Sequence, residues 1–139
     1  MVNTSVFTNR KTGRQYNILH NLNCKSTHVI YLIECSLCNH KPYVGKCETA
    51  TNIRTNNHRS DSNPKNIKTD TIPVDKHFGQ SGHNFTKHAK ITLIEQVKDR
   101  NKTKEELTFI LEKREDFWIK RLDTMQPNGF NQSLNLPYV

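Results

Sequence analysis

Apolar residues in this chain arrive in short bursts separated by long polar intervals, and the spacing within each burst differs. Residues 28–34, HVIYLIE, are a nearly continuous apolar run, which predicts a strand buried on both faces. CSLCNHKP then turns the chain and PYVGKC predicts a second strand; so short a connection implies antiparallel pairing. KITLIEQV at 90–97 alternates well enough to predict a third strand. Residues 103–122, TKEELTFILEKREDFWIKRL, predict a long helix, opened by the T-x-x-E capping box of Thr103 and Glu106. PNGFN stops it with a turn.

The remaining segments carry less pattern. ATNIRTNNHR at 50–59 has one apolar position, Ile53, and a one-sided cluster of basic groups, so a short exposed helix is expected. SDSNPKNIKTDTIP at 60–73 reads as a polar, proline-bounded loop, and VDKHFGQSGHNF at 74–85 as a helical turn closed by glycine, then a loop. Near the start, VFTNRKTGRQYNIL holds two half-apolar runs around Thr12-Gly13, a hairpin or extended arm within 5–22.

Composition changes this picture in two ways. Only 33% of the 139 residues are hydrophobic and mean hydropathy is −0.81, so the core is lean, and small lean domains commonly recruit a metal, a disulfide or a partner. Net charge is +8 with seven histidines uncounted, which points to a polyanionic partner, with ordinary solubility charge as the plainer explanation. No apolar stretch approaches ~18 residues, so nucleic acid ranks before membrane. VNTSVFTNRKTGRQYNILHNL lacks the apolar core of a signal peptide, so an intracellular setting is expected, with the four cysteines as thiols or metal ligands rather than disulfides.

Cys35 and Cys38 match the first half of a structural zinc site. His77 and His83, separated by five residues, supply a matching second half. The long gap between the halves implies a clip across the fold rather than a finger. Cys24 is an alternative ligand in place of one histidine, and Cys47 is expected to be packing. A chance C-x-x-C among surface histidines is the competing reading.

On the 103–122 helix, a rotation of about 100° per residue puts Leu107, Leu111, Trp118 and Leu122 on one face with Glu115 among them. Glu112 and Asp116 are expected to turn toward solvent. A carboxylate on an apolar stripe is costly unless paired with a cation. Two readings fit: a buried Glu–Arg pair, or a ligand for Mg²⁺, which typically takes only one or two protein carboxylates. Periodicity alone does not choose between them. Arg54 and His58, at i and i+4, share a helix face and could hold a phosphate, or could be a solvated basic face.

VIY at 29–31 and YVG at 43–45, followed by Arg54, Glu115 and Asn131, resemble the signature of the GIY-YIG endonucleases. The finer resemblance is to the endonuclease domain of Penelope-like retroelements, in the words HVIYLIECSLC, PYVGK, IRTNNHRSD, VDKHFGQSGHNF and REDFWIKRLDTMQPNGFNQ. That resemblance implies an α+β fold, a small three-stranded antiparallel sheet flanked by helices and stapled by zinc. It spans residues 24–132, leaving 1–23 as an N-terminal extension or linker and 133–139 as a tail. It further implies a DNA-nicking activity dependent on Mg²⁺ or Mn²⁺, a nuclear setting, and a reverse transcriptase domain in the same polyprotein. In such a site Tyr31 and Tyr43 stand over the scissile phosphate, Arg54 steadies its charge, His58 orients water or phosphate, Glu115 holds the ion, and Asn131 fixes the local geometry. The first signature glycine is Val29 here. Two other functions share the charge and the C-x-x-C: a non-catalytic, zinc-stapled nucleic-acid-binding module, and a structure-specific repair nuclease of the same superfamily.

Overall fold

The computed structural model describes residues 6–9, 11–18, 22–38 and 41–137. Its centre is a three-stranded antiparallel sheet of β3 (Val29–Cys35), β4 (Tyr43–Cys47) and β5 (Ala89–Gln96), in the order β4-β3-β5. β3 lies in the middle because its residues are apolar on both faces. Val29, Tyr31, Ile33 and Cys35 pack to one side, Ile30 and Leu32 to the other. The predicted strands at 28–34, in PYVGKC and at 90–97 therefore agree with the sheet to within a residue at most boundaries.

One face is covered by α4 (Lys104–Leu122), which places Leu111, Trp118, Ile119 and Leu122 against Ile30, Leu32, Val44 and Ile94. The capping box is present: Glu106 N donates to Thr103 Oγ1 at 3.1 Å, and Thr103 N donates to Glu106 Oε1 at 3.3 Å. A hairpin of β1 (Val6–Thr8) and β2 (Gln15–Asn17) packs Phe7 and Tyr16 against Trp118, with ring centroids 5.5 and 5.2 Å away. Its turn passes through Gly13 at φ +76°, a conformation open to glycine at no steric cost.

The other face carries α1 (Thr51–Asp61), α2 (Pro73–Gly79) and the single turn α3 (Phe85–His88), which supply Val74, Phe78 and Phe85 to the core. The helix expected at 50–59 forms and is exposed along most of its length, but one narrow side of it is buried. Ile53, its sole apolar residue, faces out at 50% exposure, while Thr51 and His58 are buried at 1% each. Polar contacts hold it in place, among them Thr51 Oγ1 donating to Ser26 O at 2.8 Å.

Asp116 also departs from expectation. It is 5% exposed rather than turned to solvent, because the chain beyond the turn at 127–131 returns across α4. There Asn135 N and Leu136 N donate to its two carboxylate oxygens, each at 2.8 Å. Backbone N–H groups thus satisfy the charge that burial would otherwise penalise. No helix among the described residues is long and apolar enough to cross a membrane.

Candidate active site and metal centre

The sequence places Tyr31 on β3 and Tyr43 on β4. The register sets Tyr31 opposite Gly45 and Ile33 opposite Tyr43, so both phenols lie on the α1–α2 side of the sheet, rings 6.5 Å apart. Tyr31 leans across the strand and over Gly45: a Cβ there would stand 2.4 Å from the phenol oxygen. The glycine of YVG is thus the space the first tyrosine occupies. Val29 is fully buried in the same cluster, an interior packing position.

α1 brings two cationic-capable groups down onto these rings. Arg54 lies close enough to both phenols for its charge to favour their ionised forms. His58 Nε2 and Tyr31 Oη share a hydrogen bond of 2.7 Å, and the imidazole meets the Tyr43 ring at 5.9 Å and stacks on Phe85 at 6.1 Å. Behind His58, its Nδ1 lies 2.8 Å from Asp75 Oδ1 on α2. Tyr31, His58 and Asp75 are each at most 2% exposed. Asp75 is absent from the sequence-predicted set; it lies within VDKHFG, and nothing in its local pattern marks it apart from an ordinary acid near a helix start.

Both phenols are harder to ionise than a free tyrosine. Burial raises Tyr31 well above 10, and the pull of Arg54 only partly opposes it. Tyr43 is pushed up to about 12 by burial and then by the charge of Glu115, again against Arg54. A neutral phenol is therefore the resting form of each.

Glu115 approaches from the α4 side, around the β4 edge. It is 8% exposed, and burial raises its carboxyl above the usual range, opposed by a hydrogen bond from Asn135 and the charge of Lys46. Asn135 Nδ2 donates to Glu115 Oε1 at 2.6 Å. Of the two readings of this acid, the Glu–Arg pair does not occur among the described residues; the nearest arginine on α4, Arg114, is instead bonded to Glu95. Neither Asn135 nor Lys46 was legible as a neighbour, because both reach Glu115 only through the chain's return and the strand edge.

Asn131 acts on the strand rather than on the cleft. Its Oδ1 accepts from Val44 N at 2.9 Å and Thr124 Oγ1 at 2.7 Å, and its Nδ2 donates to Val44 O at 2.8 Å. It thereby extends β4 from outside and fixes the flanking Tyr43 and Gly45. Gly129 permits the turn that delivers it, since a Cβ there would meet Thr124 O at 2.4 Å and Pro42 O at 2.6 Å.

The four zinc-ligand candidates converge. Ligand atoms of Cys35, Cys38, His77 and His83 all lie within 4.8 Å of one another, and Cys38 Sγ is 3.4 Å from His83 Nε2. A tetrahedral zinc with bonds of about 2.0–2.3 Å needs ligand atoms roughly 3.3–3.8 Å apart, so this cluster could hold a metal ion such as zinc with small adjustments. Burial and then Cys35 push the Cys38 thiol above its ordinary value. The cluster joins the end of β3 to the end of α2. Cys24 is exposed and outside it, on the segment whose carbonyl accepts from Asn52 N at 2.8 Å. Cys47 is buried, its thiol directed at Val29 O at 3.8 Å, which fits a packing role.

No family model, no curated protein and no solved structure matches this chain.

Proposed function

We propose that the chain is a divalent-metal-dependent DNA endonuclease of the GIY-YIG type, nicking one strand to leave a 3′-hydroxyl for priming, as in a Penelope-like retroelement. One observation carries the reading: two neutral phenols, a guanidinium and a hydrogen-bonded imidazole gather on one side of the sheet, with a buried carboxylate whose charge reaches Tyr43 and which no arginine among the described residues neutralises. The non-catalytic alternative gives that convergence no purpose.

Water attacks phosphorus in line with the 3′ oxygen. Tyr31 Oη accepts the proton of the attacking water while its own proton passes to His58 Nε2, so no free phenolate forms. The P–O3′ bond breaks, and the leaving oxygen takes a proton from solvent, giving a 5′-phosphate and a 3′-hydroxyl. Arg54 can offer two parallel N–H groups to the non-bridging oxygens, where charge accumulates. Glu115 is the residue that would hold Mg²⁺ or Mn²⁺, an ion that typically keeps water and phosphate oxygens as its remaining ligands. Bound there, it supplies Lewis-acid charge to the phosphate and the leaving oxygen. Zinc on Cys35, Cys38, His77 and His83 would be structural.

The test is supercoiled plasmid with Mg²⁺ or Mn²⁺. Open circles are expected from the wild type and none from Glu115→Ala. Undiminished nicking by that variant removes Glu115 from its role, and metal-independent DNA binding without cutting selects the non-catalytic module. A preference for flaps or junctions over plain duplex points to a repair nuclease, and a partner reverse transcriptase and nuclear setting are expected only under the retroelement reading.

A further inference from the structure

We propose that Asp75 is a positioning residue of this site, its carboxylate fixing His58 as the Nδ1–H tautomer so that Nε2 stands ready to accept the Tyr31 hydroxyl proton. The proposal rests on the nuclease reading for its purpose, but its physical content is a property of the unliganded protein.

A carboxylate only accepts hydrogen bonds, so at 2.8 Å from Asp75 Oδ1 the His58 Nδ1 must donate. In a neutral imidazole that leaves Nε2 with its lone pair, and the 2.7 Å contact then requires Tyr31 to donate. The phenol's oxygen lone pairs are thereby free of that bond. With the opposite tautomer, Nε2–H would occupy a phenol lone pair and the direction of proton flow would reverse. The ring has little other freedom. Phe85 stacks on it at 6.1 Å with planes 17° apart, and the two tyrosine rings meet it nearly edge-on at 77° and 76°. Among the described residues, the side-chain hydrogen bond of the Asp75 carboxylate is with His58 Nδ1, and both side chains are at most 3% exposed. The arrangement also explains why a helix with no apolar inward face is pulled into the core: α1 meets α2 through this bond.

The decisive measurement is long-range ¹H–¹⁵N correlation of histidine-labelled protein near pH 8, with His58→Gln identifying the His58 signals. The wild type is expected to show a protonated Nδ1 and a bare Nε2. In Asp75→Asn the carboxamide can donate to Nδ1, so the tautomer should swap to Nε2–H. The same variant should lose about 10²–10⁴-fold in kcat for nicking, with DNA Kd changed less than twofold and bound zinc unchanged. Nε2–H in the wild type overturns the proposal, a result that stands even where the variant fails to fold. A variant that keeps the wild-type tautomer, or swaps it and nicks at the wild-type rate, overturns it too. If wild-type protein does not nick, the nuclease reading fails by itself while the spectra still decide what Asp75 does.

Discussion

Gly45 and Tyr31 face each other on adjacent strands so closely that no side chain fits at Gly45 while the phenol keeps its place. A methyl group at Gly45 would overlap the phenol Cζ and oxygen, both 2.4 Å from the Cβ position. Gly45→Ala is expected to lower stability by about 1–3 kcal/mol, the usual cost of overpacking, and to push Tyr31 away from His58. Urea unfolding measures the first effect and loss of nicking the second. The same phenols set a ceiling in alkali. Their protons leave less readily in the folded protein than in the unfolded chain, where tyrosine titrates near 10. The fold therefore binds more protons than the unfolded chain above pH 10. The stability this provides is fully present below pH 10 and is lost as pH rises toward the Tyr43 value of about 12. Denaturant midpoints should fall from pH 10 upward in the wild type and less steeply in Tyr43→Phe.

Elements were legible in proportion to their apolar pattern. α4 and the strands follow from it directly, since Leu111, Trp118 and Leu122 repeat at helical spacing and β3 is apolar on both faces. α1 shows where the pattern is blind. Its one apolar residue, Ile53, points outward, and its inward side is built from Thr51, Arg54 and His58, so periodicity could show an exposed helix but not that its polar side is buried over the two tyrosines. A helix buried by its polar side is readable only once its partners across the fold are known. β4 is similar: its outer edge is held at Val44 by Asn131, far along the chain. Asn131→Ala should cost on the order of 2–3 kcal/mol by stripping buried backbone partners from Val44, and should reduce nicking while leaving α4 helical. Amide exchange at Val44, faster in the variant, would separate a loosened strand from a lost catalytic group.

For the molecule as a whole, charge and metal dominate the expected behaviour. With a net charge of +8, DNA affinity should fall steeply with salt, the slope growing by about 0.9 for each phosphate neutralised; a flat response would contradict the electrostatic footprint. Structural zinc contributes roughly 10–16 kcal/mol in small peptides, as much as a whole domain's stability, so chelation should unfold the lean core and far-UV dichroism should show it. The cluster of Cys35, Cys38, His77 and His83 was readable from spacing as the first of two sets, with Cys24 as the alternative that folding leaves outside. Asp75 and Asn135 were not, because each becomes meaningful only through a partner brought near by folding, His58 for one and Glu115 for the other.

Asp75 and His77 stand two positions apart on the seven-residue α2. So short a segment cannot keep its shape unaided, and whatever frees one end will let the other drift. If the proposed nuclease reading holds, damage to the thiols at 35 and 38 would then silence hydrolysis without touching any group proposed to take part in it. Every kinetic defect traced to Asp75 must accordingly be read beside the metal content of the same sample.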